Sequence, residues 1–220
     1  MHKAYSFRLY PTKEQELQIR RTIGCCRLVY NHFLARRKET YERDGTTLNQ
    51  YACMRELPVL KRQYPWLQEV DSTALQTTVQ ELEDAFQHFF RQKHGYPHFK
   101  SKKHQKQSYT SERNGKDDTK ATIRIEGNRI RLPKVGWVKF ANSREVQGRI
   151  LSSTVRLAPS GKFFVSVLVD TEIQPLKPHT NAVGIDLGLL DFAVLSTGER
   201  IPNPRHLRKL EQKLKRRQRI

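Results

Sequence analysis

The spacing of apolar residues changes near Thr122, and this change constrains the fold more than any other feature of the sequence. Within residues 72–91 the apolar side chains recur three or four positions apart, which predicts an amphipathic helix. They are Leu75, Val79, Leu82, Phe86 and Phe89. From Thr122 onward apolar and polar residues alternate, in 122–125 and 129–132, on either side of the hairpin signal Gly127-Asn128. The pattern predicts an α+β fold whose helices and antiparallel strands occupy different stretches.

The N-terminal residues already show the alternating pattern. Tyr5, Phe7 and Leu9 alternate with more polar neighbours, which predicts a strand over residues 4–10 with one buried face. Thr12 and Gln15 then match a capping box, so a helix should start there. Because strand patterns resume only after the helices, we expect the first strand to join the later ones in a small antiparallel barrel. Residues 1–11 and 118–174 would form this barrel, and residues 12–117 an inserted helical lobe.

One carboxylate, Asp186, lies inside the apolar run VGIDLGL of residues 183–189. This run is typical of a buried strand that ends in a turn at Gly188. A second apolar run, 191–195, is closed by the turn Thr197-Gly198, so the two runs predict a hairpin with an acid near its tip. A buried, unpaired carboxylate is costly, so we expect Asp186 to bind something positive, such as a metal ion. The alternative is an Asp that only shapes the turn before Gly188.

The charge balance indicates a polyanionic partner. The chain has 41 Lys and Arg against 22 Asp and Glu, a formal net charge of +19, which exceeds what solubility requires. The N-terminal residues do not resemble a signal peptide, and no apolar run approaches the roughly 18 residues of a membrane span. We therefore expect a cytoplasmic protein without a membrane partner.

Positive charge is concentrated in residues 91–109, which hold six Lys or Arg and no acid. Aromatic residues alternate with these cations, and this combination suits RNA, because bases can stack while phosphates are neutralised. The predicted nucleic-acid-binding residues are Arg91, Lys93, Tyr96, Phe99, Lys100, Lys102, Lys103 and Lys106. The alternative is a disordered basic loop that Tyr96 and Phe99 merely anchor. A second basic stretch, residues 205–219, carries a narrow leucine stripe and predicts a helix.

The predicted helix over residues 72–91 also has a polar face. Thr73, Gln76, Thr77 and Gln80 recur at helical spacing opposite the apolar stripe. Gln is a good reader of base edges, adenine in particular, so this face is a candidate for sequence recognition on duplex DNA. An ordinary solvated face is the alternative.

The three cysteines do not match a zinc site. Cys25 and Cys26 are adjacent and Cys53 stands alone, so the sequence has no C-x-x-C pair. We expect all three to be small buried side chains, and we expect no zinc in this chain.

Several blocks of the sequence resemble, in the same order, the blocks of one known family. These are residues 3–12 (KAYSFRLYPT), 95–103 (GYPHFKSKK), 132–136 (LPKVG) and 184–188 (GIDLG). They are similar to the TnpB family, the OrfB proteins of insertion sequences, which are RNA-guided DNA endonucleases related to type V CRISPR effectors. The resemblance covers essentially the whole chain.

The resemblance implies a specific architecture and function. The barrel would be a wedge-type oligonucleotide-binding barrel, the helices a recognition lobe, residues 175–181 a linker, and residues 182–220 the first hairpin and helix of a ribonuclease H-like (RuvC) nuclease fold. Guide RNA and target double-stranded DNA would be the partners, and the polar face of Thr73, Gln76, Thr77 and Gln80 would read a short motif beside the target. Asp186 would be the first catalytic carboxylate and one ligand of a Mg²⁺ pair.

The resemblance also implies a longer protein, whose further part holds a second catalytic Glu, a third catalytic Asp and a zinc ribbon. Because one carboxylate cannot hold two metal ions, we expect the chain alone to be inactive unless a separate C-terminal nuclease part completes the site. One alternative is a cleavage-incompetent binder of RNA and DNA that arose by natural truncation. A remote alternative is a fragment of an actin-like or sugar-kinase ATPase. Leu189 and Leu190 disfavour it, because such enzymes place Thr or Ser after the glycine.

Overall fold

A computed structural model describes residues 1–92, 95–103, 107–115, 120–172 and 182–218 of the chain. The chain divides into two units, Met1–Ile173 and Gln174–Ile220. The predicted linker, residues 175–181, lies outside the described residues. No helix among the described residues is both long enough and apolar enough to cross a membrane.

The helices of the first unit follow directly after the first strand. They are α1 (Lys13–Asp44), α2 (Gln50–Gln63), a 3₁₀ helix (Pro65–Gln68) and α3 (Ser72–Gln92). The predicted capping box is confirmed, because the Gln15 amide donates to the Thr12 side chain and the Thr12 amide donates to the Gln15 side chain. At the other end of α1, Gly45 takes a left-handed conformation that a glycine adopts without steric cost.

Seven antiparallel strands form the sheet of the first unit. They are β1 (His2–Tyr10), β2 (Gln107–Glu112), β3 (Arg124–Glu126), β4 (Arg129–Leu132), β5 (Gly136–Phe140), β6 (Arg149–Leu157) and β7 (Phe163–Asp170). Their order across the sheet is β2-β6-β7-β1-β5-β4-β3. β1 therefore lies at the centre, between two strands that come more than a hundred residues later. The predicted hairpin at Gly127-Asn128 is confirmed as the turn between β3 and β4.

The predicted boundary of the helical lobe at residue 117 is wrong for β2. This strand pairs with β6 over six residues, from Gln107 opposite Leu157 to Glu112 opposite Ser152. Its sequence, QSYTSE, has a single large apolar residue, so its strand conformation depends on the partner strand rather than on local pattern. The sheet order is linear, with β2 and β3 at the two ends, and closure into a barrel stays a prediction.

One apolar core joins the sheet to the helices of the first unit. The alternating residues Tyr5, Phe7 and Leu9 of β1 are buried, as predicted, in the same cluster as the apolar stripe of α3. Of that stripe only Phe89 is partly exposed. Residues Ile19, Val29 and Phe33 of α1 complete this cluster with 0% exposure. The helices are thus packed as an insertion within the sheet domain, which confirms the mixed helix and antiparallel-sheet class.

The second unit contains a small sheet and one helix. Its strands are β8 (Ile185–Leu187), β9 (Asp191–Leu195) and β10 (Arg200–Pro202), in the order β10-β9-β8, and its helix is α4 (His206–Gln218). The predicted hairpin is confirmed, but the prediction that the strand of Asp186 is buried is wrong. All three residues of β8 are exposed, and so is every residue of α4. Within this unit too few described residues exist to cover both faces of a three-stranded sheet.

Gly148 provides a test of the sheet geometry. Its φ is +108°, and a Cβ atom there would lie 2.4 Å from the carbonyl oxygen of Asp170 and 2.8 Å from the Cβ of Thr171. We expect Gly148→Ala to lower the free energy of unfolding by about 3 kcal/mol or more, because backbone strain and a backbone clash act together.

Gly161→Ala is the matched control. Gly161 also has a positive φ, +75°, but an added Cβ would meet nothing within 4 Å. We expect a loss of about 1 kcal/mol from strain alone. Urea unfolding followed by circular dichroism measures both variants, and equal losses would contradict the close approach of Gly148 to β7.

Candidate functional site

The predicted basic segment is tied to the helices at two points. The Tyr96 ring packs edge-on against Phe86, at 5.6 Å between centroids, and against Phe89, at 5.5 Å. The Asn31 side chain on α1 bonds to both backbone groups of Lys100, donating to its carbonyl at 2.9 Å and accepting from its amide at 2.7 Å. Tyr96 therefore anchors this segment, as the alternative interpretation proposed.

Lys100 has a structural role in this arrangement. Its Nζ lies 2.8 Å from a carboxylate oxygen of Glu81 on α3 and 4.1 Å from the centroid of the Tyr30 ring on α1. Its charge is already balanced by Glu81, and its ammonium group is half-enclosed by the two helices. The contacts with Glu81 and Tyr30 give Lys100 a structural role, and its contribution to phosphate binding stays a prediction.

Lys102 and Lys103 line a cleft that also collects cations from elsewhere in the chain. The cleft has a volume of about 640 Å³ and lies between α1, the segment before β2 and the turn between β6 and β7. Five cationic residues line it: Arg20, Arg27, Lys102, Lys103 and Arg156. No carboxylate is among the described residues that line it. We call this the cationic cleft.

The walls of the cationic cleft are held by side-chain hydrogen bonds. Arg27 donates to the Gln107 side chain at 3.2 Å, and the Gln107 amide group donates to the carbonyls of Ser101 and Lys102 at 3.3 and 3.2 Å. Arg20 forms an ion pair with Glu16, one turn earlier on α1, with 2.6 Å between nitrogen and oxygen. The cleft thus gathers positive charge, of which the part on Arg20 is balanced by Glu16, and this concentration favours binding of a polyanion.

The sequence contained little indication of this cleft. Arg20 and Arg27 are seven residues apart and therefore lie on one face of α1, but helical spacing alone does not show what that face meets. Arg156 comes from β6 and was not predicted at all. The three residues converge only because the sheet brings the β6–β7 turn beside the start of α1.

Arg91 and Phe99 are not among the described residues that line the cationic cleft. Arg91 is exposed near the end of α3, and Phe99 is 55% exposed. Lys93 and Lys106 lie outside the described residues. Tyr109, the third aromatic of the basic stretch, is buried on β2, and burial raises the pKa of its hydroxyl. Tyr109 is therefore a core residue.

The predicted polar face of α3 is divided among different roles. The Thr73 hydroxyl donates to Asp71 at 2.6 Å, and Gln80 bonds to Gln50 and Asp84. The Thr77 hydroxyl oxygen is buried, and no residue in the described part of the chain hydrogen-bonds to it. Gln76 is the exposed member of the four. The four residues therefore do not form one uniformly exposed polar face.

Asp186 is exposed on β8, opposite Val194 of β9. Within the described residues its carboxylate has no hydrogen-bond or ion-pair partner. The nearby Asp191 pairs with Arg200 at 3.6 Å. No group of three or more His, Cys, Asp or Glu among the described residues could hold a metal ion. The residues present therefore do not fit a two-metal centre, and Asp186 could supply only one of its ligands.

The three cysteines are buried in the helical part of the first unit. Burial raises the pKa of the Cys25 thiol to about 11, of the Cys26 thiol to about 12 and of the Cys53 thiol to about 11. At neutral pH these thiols are protonated, and protonated thiols are poor metal ligands and poor nucleophiles.

Two family models match the ends of the chain. A helix-turn-helix domain of the IS605 OrfB type matches residues 1–46, and a probable transposase of the same type matches residues 164–220. The first match spans β1 and α1 with its Gly45 cap, and the second spans β7 and the second unit.

Two curated relatives match over nearly the whole chain, and a third matches about half of it. The putative RNA-guided DNA endonuclease InsQ of Escherichia coli K12 is 34% identical over 221 residues, which cover 99% of this chain and 53% of that protein. A putative RNA-guided DNA endonuclease of Streptomyces pristinaespiralis is 31% identical, covering 99% of this chain and 54% of that protein. The virulence protein VsdF of Salmonella dublin is 34% identical over 113 residues, 46% of this chain and 95% of that protein.

The chain therefore spans about half the length of the two endonuclease relatives. Among solved structures, a CRISPR-Cas12f ternary complex aligns with a TM-score of 0.49 at 10% identity, covering 94% of this chain and 51% of that one.

The structural role of Lys100 can be tested by its effect on stability. We expect Lys100→Met to lower the free energy of unfolding by about 1 kcal/mol, because the ion pair with Glu81 and the contact with the Tyr30 ring are both lost. Lys102→Met, in the cationic cleft, should change it by less than about 0.5 kcal/mol. Urea unfolding measures both changes. An unchanged free energy of unfolding in Lys100→Met would mean that the contacts of Lys100 do not stabilise the fold.

Proposed function

The chain belongs to the TnpB family of insertion-sequence OrfB proteins, and from this premise we propose that it forms the part of an RNA-guided DNA endonuclease that binds guide RNA and target DNA. The observation that carries the proposal is the cationic cleft, in which five Lys and Arg side chains converge without a carboxylate among the described lining residues. Family membership also disfavours the ATPase alternative.

The cationic cleft suits the phosphates of structured or single-stranded RNA. Three of its five cations are arginines, whose planar guanidinium groups can contact two phosphate oxygens at once. Gathering like charges in one cleft costs free energy in the unbound protein, and a polyanion that displaces counterions recovers it. The net charge of +19 supports the same partner class.

The two units would have different roles in the nuclease. The seven-stranded sheet would be the wedge-type oligonucleotide-binding barrel, α1 to α3 the recognition lobe, and β8 to α4 the first hairpin and helix of the RuvC fold. In the recognition lobe, exposed Gln76 would contact base edges of the motif beside the target. The hydrogen bonds of Thr73 and Gln80 within the protein reduce their share in such reading.

Asp186 would be the first catalytic carboxylate of the nuclease. Its exposure on β8 leaves it accessible to ligands from a further part of the protein. Mg²⁺, when bound in the completed site, would supply activation of water and stabilisation of the leaving oxygen. No hydrolytic step follows from the residues of this chain alone. A chain that binds RNA and DNA without cleaving is accordingly the second candidate function.

The salt dependence of RNA binding tests the cationic cleft. We expect the triple variant Lys102→Ala, Lys103→Ala and Arg156→Ala to bind guide RNA more weakly. Its log–log slope against salt should be shallower by about 2, since each lost single-strand phosphate contact contributes about 0.7. Filter binding at several salt concentrations measures the slope.

A control variant separates the cleft from net charge. Lys38, Arg55 and Arg62 are exposed on α1 and α2 outside the cleft, and their replacement by Ala removes the same charge. This variant should keep a slope close to that of the parent. Equal changes in both variants would mean that the cationic cleft is not the RNA site.

Sequence reading by Gln76 predicts a loss of selectivity at one base pair. We expect Gln76→Ala to cost about 1 to 3 kcal/mol of discrimination at a single position of the target motif, with little loss elsewhere. A binding selection on randomised duplexes, run with the guide complex, measures it. Gln87→Ala is the matched control, because Gln87 is also exposed on α3. Unchanged preferences in the Gln76 variant would make this residue an ordinary surface side chain.

The number of metal-binding carboxylates that the chain supplies predicts whether it cleaves DNA and what replacing Asp186 does. We expect the 220-residue chain to bind guide RNA but to show no Mg²⁺-dependent cleavage of matched DNA, because two metal ions need further ligands. Adding the C-terminal part of a family member should restore cleavage if the parts associate. That cleavage should vanish in Asp186→Ala and persist in Glu199→Ala, whose side chain is also exposed. Cleavage by the chain alone would refute the argument.

A further inference from the structure

A second recess shares the lining residue Arg27 with the cationic cleft. It has a volume of about 510 Å³ and opens between α1 and the 3₁₀ helix Pro65–Gln68. Two aromatic residues form one wall, Tyr64 and Trp66, and residues Gly24, Leu28, Asn31 and His32 of α1 form the other. Arg27 lines both this recess and the cationic cleft. We call it the aromatic recess.

The aromatic wall is held in place rather than loose. Leu67, next to Trp66, is 0% exposed and anchors the 3₁₀ helix in the core. The Gln18 side chain donates to the Glu69 carbonyl at 2.9 Å, and Arg21 pairs with the Glu69 carboxylate at 3.6 Å. These contacts fix the end of the 3₁₀ helix to α1. Trp66 nevertheless remains 41% exposed, which is unusual for a large aromatic side chain on an anchored segment.

The opposite wall is open because of a glycine. Gly24 lies in the interior of α1, where glycine costs about 1 kcal/mol relative to alanine. Its backbone does not require glycine, since a Cβ atom there would meet nothing within 4 Å and φ is not in the left-handed region. The missing side chain therefore has no steric reason within the protein, and its effect is to keep the recess free.

The chemistry of the lining points to a flat, uncharged, aromatic group joined to an anion. The Tyr64 and Trp66 ring centroids are 5.8 Å apart and the ring planes are tilted by 53°, so the partly exposed Trp66 ring offers one stacking face. No carboxylate is among the described lining residues. His32 adds no charge at neutral pH, because burial and the neighbouring Arg36 lower its pKa. Among the described residues of the lining, Arg27 is the one cation, and it also lines the cationic cleft.

We propose that the aromatic recess binds one unpaired nucleobase, stacked on Trp66, of the same RNA whose phosphates occupy the cationic cleft. The proposal rests on the proposed function. A nucleotide satisfies both neighbouring environments at once, because its base is flat and aromatic while its phosphate is anionic. Arg27 then lies where base and backbone meet. The recess would thus distinguish an RNA with an unstacked nucleotide at this point from a continuous duplex.

Tryptophan fluorescence provides a direct test, because the chain has two Trp residues, Trp66 and Trp137. In the Trp137→Phe variant of the full chain, Trp66 is the sole reporter. A single-stranded RNA of about 12 nucleotides is the probe. We expect its binding, followed independently by the anisotropy of a labelled RNA, to quench Trp66 fluorescence, since stacking on a base quenches an indole.

Affinity measurements with four variants complete the test. We expect Trp66→Ala to weaken RNA binding roughly 5- to 150-fold without changing the salt slope, and Trp66→Phe to restore most of it. Gly24→Leu fills the recess while favouring the helix, so it should weaken RNA binding and leave thermal stability equal or higher. Tyr41→Ala removes an aromatic side chain that is 64% exposed elsewhere on α1 and should have no effect.

The outcomes separate this proposal from the one on which it rests. RNA binding with unquenched Trp66 and full affinity in Trp66→Ala and Gly24→Leu would overturn the recess proposal and leave the cationic cleft intact. The recess would then be a site for a protein partner or no site at all. Absence of RNA binding by the parent chain would overturn the proposed function itself.

Discussion

The arrangement of the first unit depends on the pairing of β1 with β7. Eight residue pairs, from His2 opposite Asp170 to Leu9 opposite Phe163, join the first residues of the chain to residues far along it. The N-terminal amine strengthens this closure by pairing with Asp170 at 3.1 Å. Because β1 also pairs with β5, it is the central strand of the sheet. The helical segment between β1 and β2 therefore starts at the centre of the sheet and ends at its edge. The helical insertion and the cationic cleft at its base are consequences of this pairing.

Burial sorts the cations of this chain into two groups. Arg37 is buried and Lys100 is partly buried, and each meets a carboxylate and an aromatic ring: Lys100 meets Glu81 and Tyr30, and Arg37 meets Glu83 and Phe86. Such groups need partners because an unpaired buried charge is costly. The cations of the cationic cleft lie at its surface, where water screens them and a polyanion can reach them. The proposed RNA binding therefore rests on the second group, although both groups belong to the same basic composition.

The second unit shows that an apolar sequence pattern does not by itself predict burial. The run around Asp186 has the composition of a buried strand, yet β8 is exposed, with Ile185 at 64% and Leu187 at 70%. An apolar strand becomes buried only if other elements cover it, and the described residues of this unit comprise three short strands and one helix. The interpretation of Asp186 as a ligand therefore rests on family membership and accessibility, since the burial that first suggested it is absent.

The sequence by itself determined the local features of this protein, because they depend on neighbouring residues. The capping box of Thr12 and Gln15, the apolar stripe of α3 and the hairpin at Gly127-Asn128 all follow from short-range spacing. Tertiary structure alone decided that β2 is a strand, that Lys100 contacts Glu81, and that Arg20, Arg27 and Arg156 share one cleft. These outcomes depend on contacts between residues far apart in the chain. Such contacts are set by strand pairing and core packing, and a local pattern of side chains does not encode which distant partner it will meet.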